Sequence, residues 1–453
     1  MERRAGTGIA NNYRLASILV GACGVVWSFA ATAQDPSDDI SVLSGSASVF
    51  TAVTHTRTDQ GTYTDTNTEP GVGVSGVIGG SLEKGANALV LQYGGTVDTS
   101  WQSADSDQSD NSTINGAARY THQDPSSRLD FNLGHTVNSV RNDTGFVINP
   151  SSYDVQNSLS AGAGLRFYPG ELTTLRFSGQ AGRTFGEDTL NDQKSVTASS
   201  QLSRRLTERS TGSLNASRSW SEEQRTDITI DTVQLVYSYD AEGGFFSIGG
   251  GGSKANSEYP DGTLSENEAI TGFLERSWVT SDWRTAIKYD RSMSDSATDL
   301  STGFPPEFSF LPETIRLREL VVTDALLFTH NNQRVCDVCD LGIYAEGSIL
   351  ESQVSGATTH EYRAGTTLGF QLTALQRLTL GYSWNAEADE DANIIIEQIH
   401  RFTTSWSRQL AENTTFGVEF NQSYLRTRLA RSDEEQFELR FVLTHGFALS
   451  RQR

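Results

Sequence analysis

Long apolar runs are missing from most of this chain. After Phe29 no hydrophobic stretch approaches the roughly 20 residues that a transmembrane helix needs. Only 36% of the 453 residues are hydrophobic, and mean hydropathy is −0.40. Helical membrane spans are excluded, but strands that meet lipid on alternate residues are not, because each averages out as polar. Basic charge is scarce as well: 35 Lys and Arg stand against 56 Asp and Glu, a formal net charge of −21. That balance argues against nucleic acid, whose phosphates require a basic patch. Interdomain linkers are absent, which disfavours a string of β-sandwiches of about 100 residues each. A fixed repeat is absent too, which disfavours a solenoid. There is no Gly-x-Ser-x-Gly elbow or comparable local signature, so no catalytic residue, metal or cofactor is expected and the chain reads as a non-enzyme. Proline is rare, and the nine prolines (36, 70, 125, 150, 169, 260, 305, 306 and 312) fall between the extended segments. A residue that cannot donate to a ladder is expected there.

The first 33 residues have their own character. Arg3, Arg4 and Arg14 precede an apolar run from Leu15 to Phe29, followed by Ala31-Thr32-Ala33. This is the pattern of a secretory signal peptide, with cleavage expected between Ala33 and Gln34. A second processing pattern, Leu19-Val20-Gly21-Ala22-Cys23, has the form of a lipoprotein box. The residues after Cys23 stay apolar, which disfavours a lipid anchor there. Cleavage at Ala33 removes three arginines and one glutamate, taking the formal charge from −21 to about −23. Residues 34–41 then form a short periplasmic segment, 42–449 the main domain and 450–453 a tail.

What the remainder does contain is alternation with period two. Leu129, Phe131, Leu133 and Val137 interleave with Asp130, Asn132, Gly134 and Thr136. Val233, Leu235, Tyr237 and Tyr239 repeat the pattern. Tyr362, Ala364, Leu368, Phe370 and Leu372 alternate with Glu361, Arg363, Thr367 and Gln371, and Phe437, Leu439, Phe441 and Leu443 oppose Glu438 and Arg440. Such segments run to roughly 12–16 residues, whereas soluble strands average about five or six. Short turns, among them Glu83-Lys84-Gly85-Ala86, Thr207-Glu208-Arg209 and Ala411-Glu412-Asn413, alternate with longer polar loops at 58–70, 102–111, 143–152, 258–265, 295–317, 386–393 and 430–434. The fold expected is all-β: a single antiparallel up-and-down transmembrane β-barrel of about 20 strands (18 to 22), in a bacterial outer membrane, with short periplasmic turns and long extracellular loops.

The strand Ser46-Ala47-Ser48-Val49-Phe50 with the loop Tyr63-Thr64-Asp65-Thr66-Asn67, and the strand Arg377-Leu378-Thr379-Leu380-Gly381-Tyr382-Ser383-Trp384, give the mature chain a texture that resembles the barrels associated with bacterial exopolysaccharide and PEP-CTERM surface systems. The resemblance implies an outer-membrane protein with a part in polysaccharide export and without catalytic residues. The partners it brings with it are lipopolysaccharide and outer-membrane lipid, the barrel-assembly machinery, polysaccharide and periplasmic export components. One departure is the ending: Phe447 is followed by Ala448-Leu449-Ser450-Arg451-Gln452-Arg453, where such barrels commonly stop on an aromatic residue.

Several residues stand out as candidate sites. Arg176, Glu361, Arg363, Glu419, Glu438 and Arg440 occupy the wet phase of their strands, and so are expected to line the lumen. The longest loop carries Phe304, Pro305, Pro306, Glu307, Phe308 and Phe310; it reads either as a constriction folded into the lumen or as a stiff flap at the rim. Cys336 and Cys339 sit in a candidate periplasmic turn, where a disulfide, a redox pair and a zinc site are weighed. The first is favoured, because a thioredoxin-like context is absent and His330 with Asp337 or Asp340 is a poor set of further zinc ligands beside the usual Cys/His spacing. Loop acids (Asp98, Asp105, Asp107, Asp110; Asp188, Asp192; Glu387, Asp389, Glu390, Asp391) read as solvated charge, or as bridges through divalent cations to lipopolysaccharide. His135 and His400 take lipid-phase positions. Two functions follow: a channel or export conduit for a hydrophilic solute or polymer, or a plugged barrel that displays loops to a partner.

Overall fold

The computed structural model describes residues 40–450 apart from 62, 102–107, 125, 142–147, 149–152, 187–191, 224–225, 296–319, 354, 390–393 and 429–431. The expected signal peptide and most of the 34–41 segment lie outside the described residues, as do Phe304, Pro305, Pro306, Glu307, Phe308 and Phe310. Twenty strands run in chain order: β1 (Ile40–Asp59), β2 (Thr64–Lys84), β3 (Asn87–Trp101), β4 (Gln108–Gln123), β5 (Leu129–Arg141), β6 (Tyr153–Gly170), β7 (Thr173–Gly186), β8 (Gln193–Thr207), β9 (Ser210–Glu223), β10 (Thr226–Ala241), β11 (Gly244–Glu258), β12 (Leu264–Val279), β13 (Trp283–Asp295), β14 (Leu320–Cys336), β15 (Cys339–Ser352), β16 (Thr358–Thr373), β17 (Gln376–Ala388), β18 (Ile395–Ala411), β19 (Thr414–Thr427) and β20 (Ser432–Ser450). Each pairs antiparallel with its chain neighbours, and β1 closes the ring on β20 through registers such as Val53↔Leu439. The expected closed up-and-down barrel is what the chain forms. Closure pairs every strand on both sides over at least part of its length, the condition for a sheet in hydrocarbon, where an unpaired backbone amide has no water to bond.

One end of the ring carries nine short turns. Two are closed by glycines with positive φ, Gly85 (57°) and Gly243 (73°), a backbone region that costs a side chain with a Cβ. Both strand termini lie at this end, which is therefore periplasmic. The opposite end carries ten connections. Those at 187–192, 224–225 and 353–357 go beyond the seven loops read from sequence. Several of the seven also shrink: Thr64–Pro70 belongs to β2, and β4 begins at Gln108, because the strands continue past the bilayer into water.

The proline pattern needs correction, since Pro70 lies within β2, opposite Val53. The last pair joining β2 to β3 is Gly71↔Ser100, so at Pro70 β2 has a neighbour on one side only, where a missing donor is tolerated. Pro169 likewise falls within β6, where the register with β7 breaks between Phe167 and Gly170.

Side chains alternate as the strands require. In β1, Val49, Val53 and His55 point outward, while Ser48, Phe50, Ala52 and Thr54 point inward. The outer surface is a belt of exposed apolar residues that includes Val74, Leu133, Leu159, Leu235, Phe402 and Leu443. A soluble protein rarely leaves a contiguous apolar patch larger than a few hundred Å². At the loop end the belt gives way to outward ion pairs: Arg183–Asp192, Lys194–Glu222, Arg218–Asp231 and Lys254–Glu266 on β7–β12. These mark the level at which the wall leaves hydrocarbon.

The wall departs from a simple ring at two places. β12 pairs with β13 only from Gly272↔Arg291 down to Val279↔Arg284, leaving Leu264–Thr271 without that neighbour. Above this point the β13–β14 hairpin passes inside the ring. Met293, Leu320 and Val322, which continue the outward phase of Tyr289 and Arg291, pack on the inward-facing Ile230 of β10 and Ala255 of β11. The outer face of one part of the barrel thus covers the inner face of another. A similar seam separates β4 from β5 beyond Gly116↔Val137. There Ser139 replaces the ladder: its hydroxyl donates to the Ile114 carbonyl at 3.1 Å and accepts from the Ile114 amide at 2.7 Å. Past that seam, Ile148 of the β5–β6 connection packs on Ile399 of β18 and Leu425 of β19, on the far wall.

Candidate functional site: the lumen

The site is the inner surface, which the sequence builds by placing small and hydroxyl side chains at alternate positions. On β7–β11, hydroxyls pair across strands at Ser178–Ser199 (2.6 Å), Thr232–Ser253 (2.8 Å) and Ser238–Ser247 (3.0 Å). Charges are grafted onto this neutral surface in two groups on opposite walls.

The basic group lies toward the periplasmic end of β4–β8. Asp130 of β5, buried on the inner face, accepts from Arg166 at 2.8 Å and from Arg176 at 2.9 Å. Arg119 and Arg205 share the inward register. Gly164 makes room for the cluster: a Cβ there would lie 2.5 Å from the Asp130 carboxylate.

The acidic group covers β15–β20. Arg363 on β16 bonds Glu361 at 2.9 Å and approaches Glu346 of β15 at 4.0 Å, while the hydroxyl of the fully buried Tyr344 donates to Glu346 at 3.0 Å. Glu361, Glu387 and Glu397 share one row across β16–β18. Below them Asn385 is 1% exposed, and neither amide atom has a hydrogen-bond partner. On β20, Arg440 bonds Glu438 at 2.6 Å, and its guanidinium lies 4.5 Å from the centroid of the Phe50 ring. That ring covers Gly73, where any Cβ would come within 2.3 Å of it. Glu419 stands opposite Arg440 in register.

Arg176, Glu361, Arg363, Glu419, Glu438 and Arg440 all take the inward phase, and the structure divides them between two walls. Reading residues one strand at a time does not single out Asp130, Glu346 or Glu397, whose only signal is the polar phase itself. An aromatic such as Phe50 reads as lipid-facing; its phase shared with Ser46, Ser48 and Ala52 is the sign in the sequence that it points inward. Inward Ile228 and Ile230 had a clearer one. The apolar phase of β10 switches between Ile230 and Val233, as a strand must if its upper part packs against something inside the ring.

Cys336 and Cys339 are joined in a disulfide with Cα atoms 4.9 Å apart, in the β14–β15 turn. His135 and His400 face outward, each paired with a tyrosine hydroxyl, Tyr93 at 2.7 Å and Tyr382 at 2.9 Å. Among the described residues no group of three or more His, Cys, Asp or Glu is placed to hold a metal ion.

A closed 20-stranded ring with an apolar belt outside and a polar, charged surface within defines a bacterial outer-membrane β-barrel. No family model matches the sequence, and no characterised protein matches it by sequence. Among solved structures, the chain is similar to the FrpB iron transporter from Neisseria meningitidis (8% identity, 88% of this chain and 82% of that one, TM-score 0.48). It is similar also to the ferric-catecholate import receptor Fiu from E. coli K12 (10% identity, 91% and 82%, TM-score 0.43). A third is OccK2 (OpdF) of Pseudomonas aeruginosa in complex with glucuronate (11% identity, 90% and 98%, TM-score 0.39).

Proposed function

We propose that the barrel is a conduit for a hydrophilic solute across the outer membrane. The observation that carries this reading is the inner surface: hydroxyls and ion pairs line a ring wider than the 16 to 18 strands at which an aqueous channel already opens. Acidic residues toward the mouth on one wall, facing arginines lower on the other, set a field across the path, which orients a dipolar or charged solute. The Ser and Thr rows supply exchangeable hydrogen bonds without a deep binding well. A carbohydrate polymer is the finer reading; its support is the resemblance of the Ser46–Phe50 and Arg377–Trp384 segments to exopolysaccharide-associated barrels, and it carries with it periplasmic export components as partners. Insertion into the membrane would proceed through the barrel-assembly machinery, from the last strand.

A second reading, a plugged barrel that presents loops to a surface partner, draws support from the inward hairpin and from Ile148. Planar-bilayer recording separates the two. Steps of steady conductance, scaled by hydrophilic solutes of graded size, are expected of a conduit. A barrel that stays sealed at all voltages, with and without the β13–β14 connection, overturns that reading in favour of the plug.

A further inference from the structure

The unpaired stretch of β12 has a matching strand within the same barrel. We propose that the wall has two arrangements. In the one described above, the extracellular parts of β13 and β14 lie inside the ring. In the second, a zipped arrangement, β13 swings out and continues its ladder with β12 as far as Glu268↔Asp295. The inference concerns the shape of the mouth and stands apart from whether the lumen conducts.

The pairing that is present fixes the pairing that is missing. The last pair is Gly272↔Arg291, so the same register runs on as Thr271↔Ser292, Ile270↔Met293, Ala269↔Ser294 and Glu268↔Asp295. At the turn the Thr280 amide donates to the Trp283 carbonyl at 2.9 Å. Hydrogen-bonded pairs recur at every second position from there, and Ile270↔Met293 falls on one of them. In the described arrangement the Ile270 carbonyl accepts instead from Nε of Arg291 at 3.1 Å. That side chain stands in for the Met293 amide at the foot of the open edge, and an edge of this kind is a template for another strand.

The side chains suit both arrangements. Inside the ring, Met293, Leu320 and Val322 are buried with Ile230 and Ala255. Outside it, Ile270 and Leu264 are 80% and 76% exposed, the most exposed large apolar side chains among the described residues. They are bare because the strand that would flank them has turned inward. Zipping sets Ile270, Met293 and Val322 in one outward row that extends the apolar belt, and Thr271, Ser292 and Thr323 in one inward row of hydroxyls. This is the division of faces found in the rest of the wall, so β13 fits its second place in both register and polarity.

Three features favour the described arrangement. Ile228 and Ile230 are covered there and would be bared to the lumen by zipping. Asp295 would lose the Ser221 hydroxyl. Glu268 and Asp295 would also come face to face, and like charges directly opposite one another weaken a pairing. With β13 inside, Glu268 stays on the outer face, 3.6 Å from Nζ of Lys254. The charge at position 268 therefore weighs on the zipped arrangement while leaving the inward contacts of β13 alone.

The test uses two double variants of the full-length protein that share Met293→Cys. With Ile270→Cys it reports the zipped arrangement, and with Ala255→Cys the described one, because Ile270 and Ala255 lie on opposite faces of the wall. Outer membranes are treated with a bis-thiol reagent spanning about 5 Å, the cross-strand Cβ separation. Both crosslinks are expected, 255–293 forming faster. Adding Glu268→Lys turns repulsion at Asp295 into attraction and should raise the initial rate of the 270–293 crosslink about fivefold while slowing the other. Heat-modifiable gel migration confirms that each variant is a folded barrel; Glu268→Gln, with a smaller rise expected, replaces Glu268→Lys should that variant misfold. Absence of the 270–293 product in both backgrounds, or a rate that the change at Glu268 leaves unaltered, overturns the proposal. A barrel sealed in planar bilayers would sink the conduit reading and leave these crosslinks as they are.

Discussion

The Asp295 carboxylate accepts a 2.6 Å hydrogen bond from the hydroxyl of Ser221, a residue four strands away in the ring and 74 positions away in the chain. Asp295 ends β13 and Ser221 faces inward from β9, so the bond exists only because the β13–β14 hairpin lies within the barrel. Gln193 of β8 donates to the same oxygen at 3.5 Å. The hairpin is held by this polar contact and by a small apolar cluster, and both are open to substitution. Met293→Ala together with Ser221→Ala removes most of the attachment, the first change alone being worth about 2–5 kcal/mol at a buried site. Single-channel conductance is expected to rise, with the barrel still heat-modifiable. Unchanged conductance would show that the hairpin does not obstruct the path.

Converse evidence comes from locking the hairpin. Met293→Cys with Ala255→Cys places two thiols in one cluster, while the native pair Cys336–Cys339 is already joined. Oxidation should form the new crosslink in intact outer membranes, and conductance should lose its largest substates. Failure of the crosslink, read as unchanged thiol labelling, would mean that the hairpin lies elsewhere.

Asp130 holds Arg166 and Arg176 together. Asp130→Asn leaves two like charges side by side on a half-buried surface. A cost of about 1–2 kcal/mol is expected in urea unfolding, reduced from the buried-pair value because both arginines are partly exposed. Ion selectivity should also move toward anions, which reversal potentials in a salt gradient measure directly.

Leu235 is 68% exposed and lies in the middle of the outward run Val233–Tyr239. If that run meets hydrocarbon, Leu235→Arg should destabilise the folded barrel by about 2–4 kcal/mol in bilayers. Were the surface aqueous, the same change would be close to neutral.

The β4–β5 turn carries a pH-dependent contact. The Asp124 carboxylate accepts from the Ser126 hydroxyl at 2.7 Å and from its amide at 2.8 Å. These bonds, the hydroxyl first, hold its pKa below the usual aspartate value. A group depressed in the folded state stabilises it above the unfolded pKa and loses that contribution as pH falls through the folded one. Because the turn is exposed the effect is small. The Asp124 carboxyl resonance should titrate below the ordinary aspartate range, and Ser126→Ala, which removes the hydroxyl but keeps the amide, should bring it part of the way back.

Much of this architecture could be read without coordinates. The lipid phase of β5, β10, β16 and β20 was visible because a pleated strand sends alternate side chains to opposite faces. Arg363 and Glu438 showed their inward phase for the same reason. Pro70 misled, since exclusion from ladders applies only where a strand has neighbours on both sides, and neighbours are a property of the sheet. Leu320-Val321-Val322 hinted at burial on both faces, as continuous apolar runs do, but it did not indicate what covers them.

The sequence by itself determined the closed barrel, a strand number near twenty and most of the face assignments, because those follow from a local period of two and from where turns interrupt it. Only the tertiary structure decided that the wall folds over itself at β13–β14 and that Asp130 gathers two arginines. Each of these depends on which residues of separate strands come side by side. Register and strand overlap are set by pairing and packing over the whole ring, so no single segment encodes them.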